Sequence, residues 1–105
     1  MGEVDRERRL QRIKSVFPRA AGKAKARIAP RFKLEVSGGA DGAVIIISSA
    51  DPDERLRITF VVGARGAVYA GIGEHQTVGI GRLGDDGIEE NIANTITDAV
   101  AKEFG

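Results

Sequence analysis

Residues 31–62, RFKLEVSGGADGAVIIISSADPDERLRITFVV, decide the fold of this 105-residue chain. Apolar and polar side chains alternate in its first and last runs, whereas the middle run is apolar at almost every position. The gaps between the runs, 38–42 and 51–54, contain Asp-Gly and Asp-Pro pairs, which are typical of tight turns between antiparallel strands. The sequence therefore predicts a meander of three strands, at 31–37, 43–49 and 56–62.

Further elements are predicted downstream of this meander. A fourth strand is expected at 67–72, and a fifth at 75–80, where glycines weaken the pattern. Residues 85–104 are predicted to form a helix that is capped by an aspartate at position 85 or 86. Its apolar side chains recur at the three- and four-residue spacing of a buried helical stripe: Ile88, Ile92, Ile96, Ala99 and Val100.

The N-terminal part of the chain is predicted to be helical as well. Residues 3–17 have an amphipathic pattern, and Pro18 is expected to end that helix because the residue before a proline avoids helical geometry. A second short helix is expected before Pro30. The elements together predict an α+β fold of two layers, in which the N-terminal helix (or two) and a C-terminal helix pack on an antiparallel meander of four to five strands. At 105 residues we expect one domain, with a basic helical segment at 1–30, the sheet at 31–80 and the last helix at 85–104.

Composition argues against several classes of protein. The chain has no cysteine, which excludes disulfides and thiolate chemistry, and it has no apolar run of about 20 residues. The charged N-terminus does not resemble a signal peptide, so the cytoplasm is the expected location. The five aromatic residues are few and isolated, and we expect them in the core rather than as platforms for nucleobases: Phe17, Phe32, Phe60, Tyr69 and Phe104.

Three motifs in the sequence are candidates for chemistry. Residues 79–84 match the GxGxxG pattern, but no second parallel strand follows and acidic residues occupy the start of the next helix. The single histidine, His75, follows Glu74, but no cysteine and no nearby Ser/Asp set completes a nucleophilic arrangement with it, and the acidic turn 51–54 lacks the spacing of a calcium loop. We therefore expect a protein that is not an enzyme and that uses no cofactor or metal.

The charge is sorted along the chain. Residues 1–33 contain eleven Lys or Arg and three acids, for a net charge of +8, and residues 34–105 contain five cations and twelve acids, for a net charge of −7. A cationic segment of this kind is typical of proteins that contact nucleic-acid phosphates irrespective of base sequence. The predicted nucleic-acid-binding residues are Arg19, Lys23, Lys25, Arg27, Arg31 and Lys33.

A protein–protein interaction module is the alternative, because an acidic protein surface attracts the same cations. Such a module would be an inhibitor or adaptor of the type that phages encode, and its own acidic surface would then imitate nucleic acid: Asp85, Asp86, Glu89 and Glu90. A homodimer is also expected, because residues 43–49 are apolar on both faces of their strand and a small domain has little material to cover both.

Overall fold

The computed structural model describes residues 3–39, 41–73 and 77–104, and it has the predicted α+β architecture. Two helices pack on a five-stranded antiparallel sheet whose strands follow the order of the chain. The elements are α1 (Glu3–Arg27), β1 (Lys33–Gly39), β2 (Gly42–Ser48), β3 (Arg55–Val62), β4 (Ala67–Ile72), β5 (Val78–Arg82) and α2 (Ile88–Phe104).

The register of the strands separates an inner face of the sheet from an outer one. Side chains that oppose one another across neighbouring strands point to the same face. Ile45 of β2 lies between Val36 of β1 and Ile58 of β3, and all three belong to the inner face. The next residues along β2, Val44 and Ile46, are only half-buried because they point to the other face.

Both helices lie on the inner face. Phe17 of α1 and Phe60 of β3 are fully buried, with ring centroids 5.2 Å apart. The residues that belong to one buried cluster, or pack against it, include Ile13, Phe17, Phe32, Leu34, Leu56, Ile58, Phe60, Ile88, Ile92 and Ile96, whereas Leu10, which was also expected on this face, is half-buried and lies outside that cluster. Because both helices cover the same face, neither covers the second face of β2, which is the condition under which the homodimer was predicted. The oligomeric state stays a prediction.

One expectation about the N-terminal segment is wrong. Helix α1 continues through Pro18 to Arg27 instead of ending at the proline. Proline lacks an N–H to donate and its ring crowds the carbonyl of Lys14, one turn earlier, so the break was expected. The helix continues because residues on both sides of Pro18 are anchored in the core: Phe17, Ala20, Ala21 and Ala24 are buried. Tertiary packing here overrides local propensity.

The end of the sheet also differs from the expectation. Strand β5 spans Val78–Arg82, so it ends two residues later than predicted. His75, which was expected at its start, lies outside the described residues. The first two glycines of the GxGxxG pattern therefore lie within an antiparallel strand, with no parallel partner. Helix α2 begins at Ile88 and not at residue 85, and among the described residues neither Asp85 nor Asp86 caps it through its side chain. The side chain of Asp85 acts in the preceding turn instead. Its carboxylate accepts a hydrogen bond of 2.9 Å from the backbone N–H of Arg82, which closes the turn before the helix.

Candidate functional site

The last two turns of α1 lie beside the first turn of α2, and opposite charges meet there. Lys23 forms ion pairs with Glu89 at 3.2 Å and with Glu90 at 3.5 Å. The guanidinium of Arg27 lies 2.5 Å from Glu90 and donates a second hydrogen bond of 3.1 Å to the side-chain oxygen of Asn94. Two of the six predicted phosphate ligands therefore already bind carboxylates of the protein itself.

The titration of these groups reflects the pairing. The hydrogen bond to Glu89 raises the pKa of the Lys23 ammonium above its ordinary value, although partial desolvation opposes the shift. The hydrogen bond from Arg27 lowers the pKa of the Glu90 carboxyl, again against desolvation. Each partner thus favours the charged form of the other. All these side chains remain partly in water, so the ion pairs are of the surface type.

Arg31 is held by a different carboxylate. Its Nε and one terminal nitrogen donate to the two oxygens of Glu54, at 3.1 and 2.9 Å, in a bidentate pair, and the guanidinium lies 4.3 Å from the centroid of the Phe32 ring. The hydrogen bonds from Arg31 lower the pKa of Glu54, and a hydrogen bond from Ser49 adds to the effect. Since a bidentate pair of this geometry orients the guanidinium, Arg31 is tied to the turn between β2 and β3.

The other three predicted ligands lie on separate surfaces. The ammonium of Lys25 donates to the backbone carbonyl of Phe32. Arg19 borders a groove between α1 and the start of α2, whose lining also includes Asp85 and Asp86. Lys33 is exposed at the start of β1, on the outer face of the sheet. The structure therefore does not bring the six cations together on one surface, and their joint role as a phosphate site stays a prediction.

The outer face of the sheet, which neither helix covers, carries a second set of cations. We call it the open face, and its exposed cations with their polar and acidic neighbours are Lys33, Glu35, Ser37, Arg55, Arg57, Thr59 and Arg82. Lys33 and Arg55 flank Ser48 in one cross-strand row, and Glu35 and Arg57 flank Ile46 in the next. The rows are about 7 Å apart, because side chains on one face of a strand repeat every two residues.

The charge of the open face is predominantly positive. Glu35 is the only carboxylate that the described strands place there. Within the part of the chain that the structure describes, no ion pair engages Lys33, Arg55 or Arg57. Arg82 adds a cation at the opposite end of the face, where it pairs across the strands with Ala67. Sequence reasoning missed Arg55, Arg57 and Arg82 because they belong to residues 34–105, whose net charge is negative.

A small apolar patch lies between the two cationic ends. Val61 of β3 and Tyr69 of β4 are opposite each other in the register, and they are 45% and 42% exposed. The expectation that all five aromatic residues lie in the core is therefore wrong for Tyr69. The signal was present in the sequence, since Tyr69 alternates with Val68 and Ala70, the inward-facing residues of β4. Val44 and Ile46 continue the patch as half-buried side chains.

Comparison of the chain with protein-family models, with curated proteins and with solved structures found no match. The function must therefore be argued from the geometry of the molecule alone.

The described residues contain no group of three or more His, Asp or Glu side chains that could hold a metal ion. Neither described helix has an apolar stretch long enough to cross a membrane, since α1 is charged throughout its length. Against this background the open face is the surface whose chemistry is most distinctive, because it combines unpaired cations of the described chain with an exposed aromatic ring.

Proposed function

We propose that this protein is a non-enzymatic nucleic-acid-binding protein and that its open face contacts the phosphate backbone. The observation that carries the proposal is the position of Lys33, Arg55 and Arg57 on two adjacent rows of an uncovered sheet. By contrast, Lys23, Arg27 and Arg31 are already bound to carboxylates of the same chain. Contact of any of these with a phosphate requires the loss of an internal ion pair, whereas contact at the open face does not.

A phosphate ligand suits the chemistry of these side chains. Arginine presents a planar fork of donors that matches two phosphate oxygens, and lysine acts as a compact positive charge. Neutralised phosphates release their condensed counterions, so binding weakens as the salt concentration rises. For a single strand, the slope of log affinity against log salt is about −0.7 per contact, so three contacts predict a slope of about −2.

The apolar content of the open face favours nucleic acid over a protein partner. A stable protein interface buries about 800 Å² on each partner around an apolar core. Here the large exposed apolar side chains are Val61 and Tyr69, while Val44 and Ile46 are already half-buried. A second copy laid face to face would also bring cations near cations, because both ends of the face are basic. The alternative in which an acidic surface of this protein imitates nucleic acid is also less favoured, because Glu89 and Glu90 are already paired with Lys23.

The proposal is tested by fluorescence anisotropy with labelled oligonucleotides, single-stranded and duplex, over a salt range that starts at about 50 mM. The test variant is the triple substitution Lys33→Ala, Arg55→Ala and Arg57→Ala. The matched control removes the same charge from α1: Arg19→Ala, Lys23→Ala and Lys25→Ala. Circular dichroism checks that both variants are folded.

We expect the open-face variant to bind much more weakly, with the slope of log affinity against log salt flattened by about two units. The α1 variant should keep the affinity and the slope of the wild type. Loss of binding in the α1 variant alone would overturn the assignment to the open face and support the basic N-terminal third instead. No binding of wild-type protein at tens of micromolar would overturn the function itself. A dimeric mass in light scattering, with the open-face variant monomeric, would then identify a second copy as the occupant.

A further inference from the structure

We infer that the nucleic acid on the open face is single-stranded and that one of its bases stacks on Tyr69. The inference rests on the proposed function and specifies the ligand class. It starts from an exposed aromatic ring on β4 that lies between the two cationic ends of the open face. Such an arrangement lets a protein stack an unpaired base on the ring while its cations contact the phosphate backbone.

The surroundings of Tyr69 leave its ring accessible. Its row neighbours are Val61 on β3 and Gly79 on β5, and a second glycine, Gly63, lies diagonally across from it, just after the end of β3. A Cβ atom built on Gly63 would lie 3.7 Å from one edge of the ring, and one built on Gly79 would lie 3.6 Å from the other. Because glycine carries no side chain, nothing at these two positions rises above the ring from the sheet. Glycine weakens a strand interior, and space beside the ring gives a reason for Gly79 in β5.

The width of the sheet argues for a single strand. Five strands at about 4.8 Å spacing make a face about 19 Å across, and the major groove of duplex DNA is only about 12 Å wide. Tyr69 lies on β4 with β3 and β5 on either side of it, so a flat face of this width does not enter the groove to bring the ring to a base edge. In a duplex the faces of the bases are also occupied by their neighbours. A single strand can lie across the sheet and turn one base onto the ring.

The distance between the cationic rows and the ring of Tyr69 allows one nucleic-acid strand to contact both. Val61 is opposite Tyr69, and Arg57 is four residues before Val61 on β3, which places the arginine about 14 Å from the ring row. Arginine side chains reach several ångströms towards the patch, so a strand of a few nucleotides joins the cationic rows and the ring. Thr59 lies between them as a neutral polar residue.

The sequence offers a direct probe, because Tyr69 is the only tyrosine and there is no tryptophan. Titration with oligothymidylate should quench the intrinsic tyrosine fluorescence as the base stacks. An oligomer of equal length made of abasic nucleotides carries the same phosphates, and it should bind more weakly and leave the fluorescence unchanged. Duplex DNA should also leave it unchanged. The affinity series compares Tyr69→Ala, Tyr69→Phe and, as the control on the same row, Val61→Ala.

We expect Tyr69→Ala to weaken binding of oligothymidylate about 5- to 150-fold, which corresponds to the loss of one stacked base. Tyr69→Phe should retain affinity, because stacking needs the ring and not the hydroxyl, and Val61→Ala should change it little. Tight binding without quenching, with Tyr69→Ala equal to wild type, would overturn the stacking inference and leave the proposed function intact. A preference for duplex would overturn the single-strand assignment. Absence of any nucleic-acid binding by the wild-type protein would overturn both the inference and the proposed function.

Discussion

Replacement of Pro18 by alanine should stabilise this protein. Pro18 is exposed and lies well inside the continuous helix α1. An alanine at this position restores an N–H that can donate to the carbonyl of Lys14, and it removes the clash of the ring with that turn. The buried contacts of Phe17 and Ala21 are left in place, because the substituted side chain faces solvent.

The magnitude follows from helix energetics. A proline in a helix interior costs about 3 kcal/mol relative to alanine. Proline also restricts the unfolded chain, which offsets about 0.4–1 kcal/mol of that cost. We therefore expect Pro18→Ala to raise the free energy of unfolding by about 2–3 kcal/mol. For a chain of this size that corresponds to an increase in Tm of about 8–24 °C.

Gly22 provides the matched control on the same helix. It is exposed, and a Cβ atom built on it meets nothing within 4 Å, so Gly22→Ala should stabilise by about 1 kcal/mol. Urea denaturation followed by far-ultraviolet circular dichroism measures both variants against wild type. If Gly22→Ala raises the midpoint and Pro18→Ala leaves it unchanged or lowers it, α1 is broken at the proline and the reasoning from a continuous helix is refuted.

Two further predictions concern the core and the acid range. Ile92 of α2 is fully buried, so Ile92→Ala should lower the free energy of unfolding by about 2–5 kcal/mol in chemical denaturation, and a loss under about 0.5 kcal/mol would mean that α2 is peripheral. Glu54 has a lowered pKa in the folded state because of its hydrogen bonds from Arg31 and then Ser49. Its contribution to stability is therefore fully present above the ordinary Glu pKa of about 4.3 and is lost as the pH falls through the lower folded value. Glu54→Gln should reduce the acid sensitivity of the urea midpoint in that window, and a variant with unchanged acid sensitivity would contradict this.

The strands and the last helix were predictable because their signals are local. The alternation of Leu56, Ile58 and Phe60 is a property of one short segment, and β3 begins and ends within one residue of the prediction. Helix α1 was predictable only in part, because the signal of Pro18 is also local but the forces that override it are not. The anchors of the segment after the proline, such as Ala24, belong to a core in which α1 packs on α2, β1 and β2, all of which come later in the chain.

The candidate site was harder to predict than the fold, because surface chemistry depends on which elements become neighbours. Lys23 and Glu90 are 67 positions apart, and no local pattern links them. Tyr69 and Arg57 point to the same uncovered face, but that conclusion requires both the strand register and the knowledge that the two helices share the other face. Of the six predicted ligands, Lys33 is the one on the open face.

The sorting of charge along the chain is better explained by the folded helix pair than by an external ligand. In α1 the cations Arg19, Lys23 and Arg27 repeat at four-residue spacing, where like charges repel. Nearby anions relieve such repulsion, and for Lys23 and Arg27 these anions are Glu89 and Glu90 of α2. Opposite charges that are far apart in the sequence are thus brought into contact by the packing of α1 against α2. The cations of the open face, including Arg55 and Arg57 from the net-acidic segment 34–105, have no such counterpart among the described residues, so they are the ones that a phosphate backbone would meet first.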